Sequence, residues 1–184
     1  MQEETDKELY KEYLKGNKQA FEKLVIRHKD HIIYFISRYT KNTDIAEDIS
    51  QDVFVYLLLH KEQYDFKYSF KTYLYMIAKC RALNYLKSEK KVLPITDYNN
   101  LYIENNDLEE IVYKNQKSNY IRKVINKLKP DYQAVICLAS IEGFKYKEIA
   151  KIMGKNVGQV KVMLNRAKKK LKEKLEEEGL QYEI

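Results

Sequence analysis

Between Lys151 and Lys174 the chain places nine Lys or Arg residues against a single acid, Glu173, a net charge of +8 over 24 positions. Cations at that density suit one chemistry: neutralising nucleic-acid phosphates and releasing their counterions. Taken alone, Lys168, Lys169, Lys170, Lys172 and Lys174 fit a solvated helix face better, and the preceding helix-turn-helix spacing puts nucleic acid ahead. Only five of the 34 basic residues are Arg, and one, Arg166, stands beside Lys161 and Asn165. Its planar fork is what a bidentate guanine contact requires, and an ion pair with a local acid is the competing use. A second group is aromatic: Tyr64, Phe66, Tyr68, Phe70 and Tyr73 surround Lys67 and precede Lys79, Arg81, Lys87, Lys90 and Lys91. Rings interleaved with cations suit unstacked bases at ~1–3 kcal/mol per stack, while about half of such rings are expected in the core. A third group is acidic: Glu47, Asp48 and Asp52 with Gln51. Acids repel DNA, so this group points to a protein partner.

Other chemistries lack their parts. His28 and His31 have helical i, i+3 spacing, but no third metal ligand accompanies them. Cys80 and Cys137 lie far apart with no CxxC neighbourhood, and both read as buried thiols. There is no Gly-rich phosphate loop and no nucleophile with a visible base, so the expectation is no cofactor, no metal, no small-molecule substrate and no enzymatic activity. No apolar run approaches the ~18 residues of a spanning helix. The amino terminus, MQEETDKELYKEYLKGN, is acidic and amphipathic rather than a signal peptide, which predicts a soluble, cytoplasmic protein.

Helices must position these groups, because five Gly and two Pro in 184 residues are too few for the turns of a sheet protein. Thr5 with Glu8 forms a capping box, Leu9, Tyr10, Tyr13 and Leu14 give an apolar face, and Gly16 stops the helix. Asn17 caps a second helix in which Phe21, Leu24, Val25, His28, Ile32 and Ile36 recur up to about Tyr39. A third helix spans about Asp44 to His60, with Ile45, Ile49, Val53 and Tyr56 inward and Asp48, Gln51, Asp52 and Val55 on the other side, an acidic flank. Ser69 caps a fourth, Phe70 to about Lys90, with Tyr73, Ile77, Cys80, Asn84 and Lys87 on one stripe. Past an acidic stretch, Ile121, Val124, Ile125 and Leu128 resume the helical period, and Pro130 opens a helix expected to reach Ile141 before Gly143 stops it.

The segment YKEIAKIMGKNVGQVKVMLNRAKKKL has helix-turn-helix spacing. Ala150 is small where the helices must approach, Gly154 supplies the left-handed turn, and Ile149, Met153, Val160 and Leu164 are placed to pack the crossing. Asn156 is a natural N-cap, so the second helix presents its first N–H groups as a phosphate-binding end, with Gly158 leaving room. The expected fold is all-α: two small helical domains, 1–91 and 118–184, joined by a flexible acidic linker at 92–117. Residues 1–91 carry 17 basic and 14 acidic groups, 92–113 carry five acids and no base, and 114–184 carry 17 basic and 8 acidic. The overall +7 therefore divides into +3, −5 and +9.

Along nearly its whole length the chain resembles the sigma factors of bacterial RNA polymerase, the sigma-70 family, in the small extracytoplasmic-function (ECF) group. The family pattern AED-x-x-Q-x-x-F appears as Ala46-Glu47-Asp48-Ile49-Ser50-Gln51-Asp52-Val53-Phe54. The following helix pattern appears as Phe70, Tyr73, Leu74, Ile77, Ala78, Cys80, Asn84 and Lys87. The second domain's pattern appears as Leu128, Pro130, Glu142-Gly143, Tyr146, Glu148-Ile149-Ala150, Gly158-Gln159-Val160-Lys161 and Arg166-Ala167.

The resemblance implies a factor that binds core polymerase and directs promoter-specific initiation. Glu47, Asp48, Gln51 and Asp52 would dock on the clamp helices of β′, with the β subunit also a partner. Tyr64, Phe66, Lys67, Tyr68, Phe70 and Tyr73 would hold a base flipped from the minus-ten element, beside Lys79, Cys80, Asn84 and Lys87. Tyr146, Asn156, Gly158, Gln159, Lys161, Val162, Asn165, Arg166 and Lys168 would meet the minus-35 duplex. The acidic linker would run toward the RNA exit path, and an anti-sigma factor is an implied partner. The chain departs from the pattern at Tyr73 (usually Trp), Cys80 (Asn), Asn84 (Asp), Lys87 (Arg), Gln159 (Thr) and Val162 (Ser). Promoter preference therefore does not transfer with the fold. The alternative is a stand-alone helix-turn-helix regulator whose first domain senses a ligand or dimerises.

Overall fold

The computed structural model describes residues 4–92 and 116–178, with side chains at 4–89 and 121–178. These residues form eight α-helices and no strand, in two compact units divided after Leu101. The expected linker at 92–117 falls outside the described residues except for its ends, where Val92 closes one helix and Gln116 opens the next.

In the first unit the capping signals fix the helix starts. Thr5 and Glu8 form the reciprocal box ahead of α1 (Asp6–Leu14), with the Glu8 carboxylate accepting from the Thr5 N–H at 2.8 Å. Asn17 opens α2 (Lys18–Thr40), and Asn42, accepting from the Ile45 N–H at 3.2 Å, opens α3 (Thr43–Leu59). A 3₁₀ turn (Lys61–Gln63) leads into a loop, and Ser69 caps α4 (Phe70–Val92) by accepting from the Thr72 N–H at 3.1 Å. Each cap satisfies a donor the helix leaves orphaned, worth about 1 kcal/mol.

Helix α2 packs against α1, α3 and α4, and Leu9, Leu24, Ile32, Ile36, Leu57 and Leu74 are sealed between them. Burying each such side chain contributes about 1.5–3 kcal/mol, so the apolar stripes hold the unit together. On α3 the buried positions are Ala46, Ile49, Ser50, Val53, Phe54 and Leu57, whereas the expected inward residues Ile45 and Tyr56 are half-buried at the margins. Asp6 ties α1 to α2, reaching Arg27 at 2.6 Å and His28 at 2.8 Å.

Among the described residues the second unit starts with α5 (Gln116–Asn126), which buries Val124 and Ile125. Buried Gln133 donates to the carbonyls of Asn126 (3.0 Å) and Leu128 (2.8 Å), satisfying acceptors that the end of α5 leaves open. Pro130 sits at the start of α6 (Pro130–Ile136), where its missing N–H costs nothing. The helix expected to run unbroken to Ile141 instead widens into a π turn over Cys137–Ile141, with the Glu142 N–H donating to the Cys137 carbonyl at 3.0 Å. The wider turn ends at Gly143, whose φ of 69° takes the left-handed conformation that glycine tolerates. Helices α7 (Tyr146–Met153) and α8 (Val157–Glu177) complete the unit.

Candidate nucleic-acid interface

Helices α7 and α8 pack on each other across a short turn. Ile149, Ala150, Met153, Val160 and Leu164 are all buried between the helices. Gly154 ends α7 at φ 65°, and the Lys155 N–H returns to the Ala150 carbonyl at 2.9 Å, a Schellman closure. Asn156 then caps α8: its Oδ1 accepts from the Gln159 N–H at 2.8 Å, while Gln159 Oε1 accepts from the Asn156 N–H at 3.0 Å. A Cβ added at Gly158 would stand 3.2 Å from that Oδ1, so the glycine keeps the cap uncrowded.

The buried stripe of α8 is Val160, Met163, Leu164, Ala167, Leu171 and Leu175. At 100° per residue the opposite face centres on Gly158, Val162, Asn165 and Lys169, flanked by Gln159 and Arg166 on one side and Lys161 and Lys168 on the other. All eight are exposed, as are Tyr146 and Asn156. Every residue expected at the duplex thus lies on the surface of this unit. Part of the lysine run is internally paired, with Lys170 reaching Glu173 at 2.8 Å and Lys172 reaching Glu176 at 3.9 Å.

In the first unit the aromatic group divides by burial. Tyr64 is 4% exposed and Phe70 1%, so both rings belong to the core beneath this surface. Tyr64 donates to the Tyr68 carbonyl at 2.8 Å and closes the loop, and its burial pushes the phenol up to about 12. Phe66, Lys67, Tyr68 and Tyr73 form the outer layer: Lys67 is exposed, and the three rings are half-buried. Tyr73 stacks on Tyr64 at 5.1 Å. Farther along α4, Cys80, Asn84 and Lys87 are exposed and Lys79 is half-buried, beside the buried stripe of Leu74, Tyr75, Ala78 and Ala82. Cys80 is therefore not the buried thiol expected, and the Asn84 amide lies 3.8 Å from its sulfur. Cys137 is buried, as expected.

On α3 the four expected docking residues, Glu47, Asp48, Gln51 and Asp52, are all exposed. The same side continues toward the helix end as an apolar strip of Val55, Leu58 and Leu59, the last 74% exposed. Sequence reasoning placed Val55 on this side but missed Leu58 and Leu59, because a run of Leu at a helix end carries no sign of which side faces water.

Residues 24–92 match the family model "Sigma-70 region 2", and residues 118–171 match "Sigma-70, region 4". The chain belongs to the sigma-70 family. Its relatives place this sigma factor in the ECF group: the ECF RNA polymerase sigma-E factor of Escherichia coli (strain K12) is 28% identical over 94% of this chain and 95% of that protein. The sigma-E factor of Haemophilus influenzae is 29% identical over 94% and 96%. Among solved structures, CnrH in complex with the cytosolic domain of CnrY is similar with a TM-score of 0.68 at 22% identity, covering 94% of this chain and 98% of that one. The sigma factor RpoE, in complex with the anti-sigma factor NepR from Bartonella quintana, gives 0.63 at 19% identity over 85% and 96%. These two likenesses support the all-α fold.

Proposed function

We propose that this sigma factor joins core RNA polymerase and directs promoter-specific initiation, with one exposed face for each contact. The observation that carries the reading is that two sigma-70 regions occur in order, with an acidic flank outward on the first and a basic helix-turn-helix outward on the second. Glu47, Asp48, Gln51 and Asp52 dock on the polymerase clamp, where their charge meets a protein rather than DNA. Phe66, Lys67, Tyr68 and Tyr73 receive an unstacked base of the minus-ten element, with Lys79, Cys80, Asn84 and Lys87 along the same strand; Tyr64 and Phe70 support that layer from below. Stacking offsets the few kcal/mol that extruding a base costs. The outward face of α8 enters the major groove of the minus-35 element, with the capped N-terminus against a phosphate and Gln159, Val162 and Arg166 toward base edges.

The reading extends to a non-enzymatic factor acting in the cytoplasm. Among the described residues no helix is long and apolar enough to cross a membrane, and no group of three or more His, Cys, Asp or Glu could hold a metal. An anti-sigma factor is the expected restraining partner, as RpoE was crystallised with NepR. Equilibrium binding tests the proposal: the free protein should hold promoter duplex weakly and form a specific open complex only with core polymerase. Sequence-specific binding by the free protein without core association would instead identify a stand-alone regulator.

A further inference from the structure

Helix α1 lies outside the region 2 match, which begins at residue 24, yet its Tyr10 sits at the centre of the aromatic loop. Tyr10 is wholly buried, and its ring meets Tyr64 at 4.9 Å, Phe70 at 5.2 Å and Phe66 at 6.1 Å. Its hydroxyl donates to the Lys61 carbonyl at 2.9 Å, a polar tether from α1 to the start of the loop. The loop needs such support. Phe66 has a φ of 57°, a left-handed backbone that a bulky residue adopts only when its surroundings impose it. Lys67 turns beside it, its N–H donating to Asp65 Oδ1 at 3.0 Å. The conformation that carries Phe66, Lys67 and Tyr68 is thus held at one end by the Tyr10 tether and from beneath by the rings.

We propose that Tyr10 is a positioning residue for promoter opening: α1 sets the shape of the loop and keeps Phe66 in its left-handed conformation, so that the outer layer is formed before a base arrives. Tyr10 touches no DNA and acts through Phe66 and Lys61. The proposal rests on the reading that this outer layer receives an unstacked base.

The experiment uses the full chain with core polymerase and a promoter carrying 2-aminopurine in the minus-ten element, whose fluorescence reports unstacking. Tyr10→Phe keeps the ring and removes the tether. Tyr13→Phe is the control, because it removes a hydroxyl from the same helix that points to α3 instead, toward the Leu58 carbonyl at 3.4 Å. Phe66→Ala tests the underlying reading. The expected result is a roughly fivefold slower opening for Tyr10→Phe, the scale of one hydrogen bond, with core affinity unchanged and Tyr13→Phe at the wild-type rate. A normal rate for Tyr10→Phe beside a slow Phe66→Ala overturns the positioning role and leaves the base-contact reading intact. A normal rate for Phe66→Ala overturns that reading and the proposal with it. Equal losses in both tyrosine variants, or loss of core binding by Tyr10→Phe, would assign α1 a purely structural role and overturn the proposal.

Discussion

Asn156 separates the two things the start of α8 is asked to do. Replacing it with Ala removes the acceptor for the Gln159 N–H, a 2.8 Å bond, while the return bond from the residue 156 N–H to Gln159 survives because it uses backbone. The loss is therefore one cap bond, about 1 kcal/mol, or about 4–8 °C in the melting of a unit this size. Asn156→Asp keeps the acceptor and adds a negative charge at the positive end of the helix, so stability should hold or rise by about 0.3–1 kcal/mol. The same charge faces the phosphate that this end is proposed to bind. A unit charge about 5 Å from a phosphate, at an effective dielectric between water and a protein surface, costs about 1–3 kcal/mol. The Asp variant should thus melt like wild type yet bind minus-35 duplex between about fivefold and about a hundredfold more weakly. Urea melts followed by fluorescence anisotropy on a labelled duplex, in the presence of core polymerase, give both numbers. An Asp variant that binds DNA as tightly as wild type would refute the placement of this terminus against a phosphate.

Other perturbations test the remaining faces. Asp48→Arg should weaken core affinity by about 2 kcal/mol or more, over tenfold, with an unchanged melting curve, because the residue is exposed and its proposed role is docking; surface plasmon resonance on immobilised core reads it. Arg166→Ala should cost about 1–3 kcal/mol at one base position of the minus-35 element if the fork meets a guanine, whereas a uniform loss with a smaller salt slope would make it a phosphate contact. Burial would raise the Asp6 carboxyl, but the bonds and charges of His28 and then Arg27 outweigh it and hold the group below the usual carboxylate value. A depressed folded pKa stabilises above the unfolded value of about 3.9 and is lost as pH falls through the folded one, so Asp6→Asn should lower stability at pH 7 and flatten the acid limb below about pH 4 in circular dichroism.

Helix ends were legible because each carries its own chemistry. Thr5 with Glu8, Asn17, Ser69 and Asn156 announce a cap by residue type and offset, and all four form it. The outward acidic and basic faces were legible for a related reason, since a helical period with charge on one side leaves only solvent to face. Tyr64 and Phe70 were not, because a ring in a loop or at a helix start buries or stacks according to what covers it, and the cover is Tyr10, more than fifty positions earlier. The π turn at Cys137–Ile141 was equally hidden. The sequence CLASI has ordinary helical residues, so nothing in it marks the wider turn. Nor does Cys80 betray its exposure, since a thiol suits either side of a helix.

Run-off transcription with core polymerase, followed by mapping of the start sites, decides whether this chain works as a promoter-directing factor. Core alone should give no specific transcripts, and adding this protein should give discrete starts downstream of a shared minus-35 and minus-ten pair. Start sites indifferent to the added protein, in a mixture where the protein binds duplex tightly without core, would contradict it.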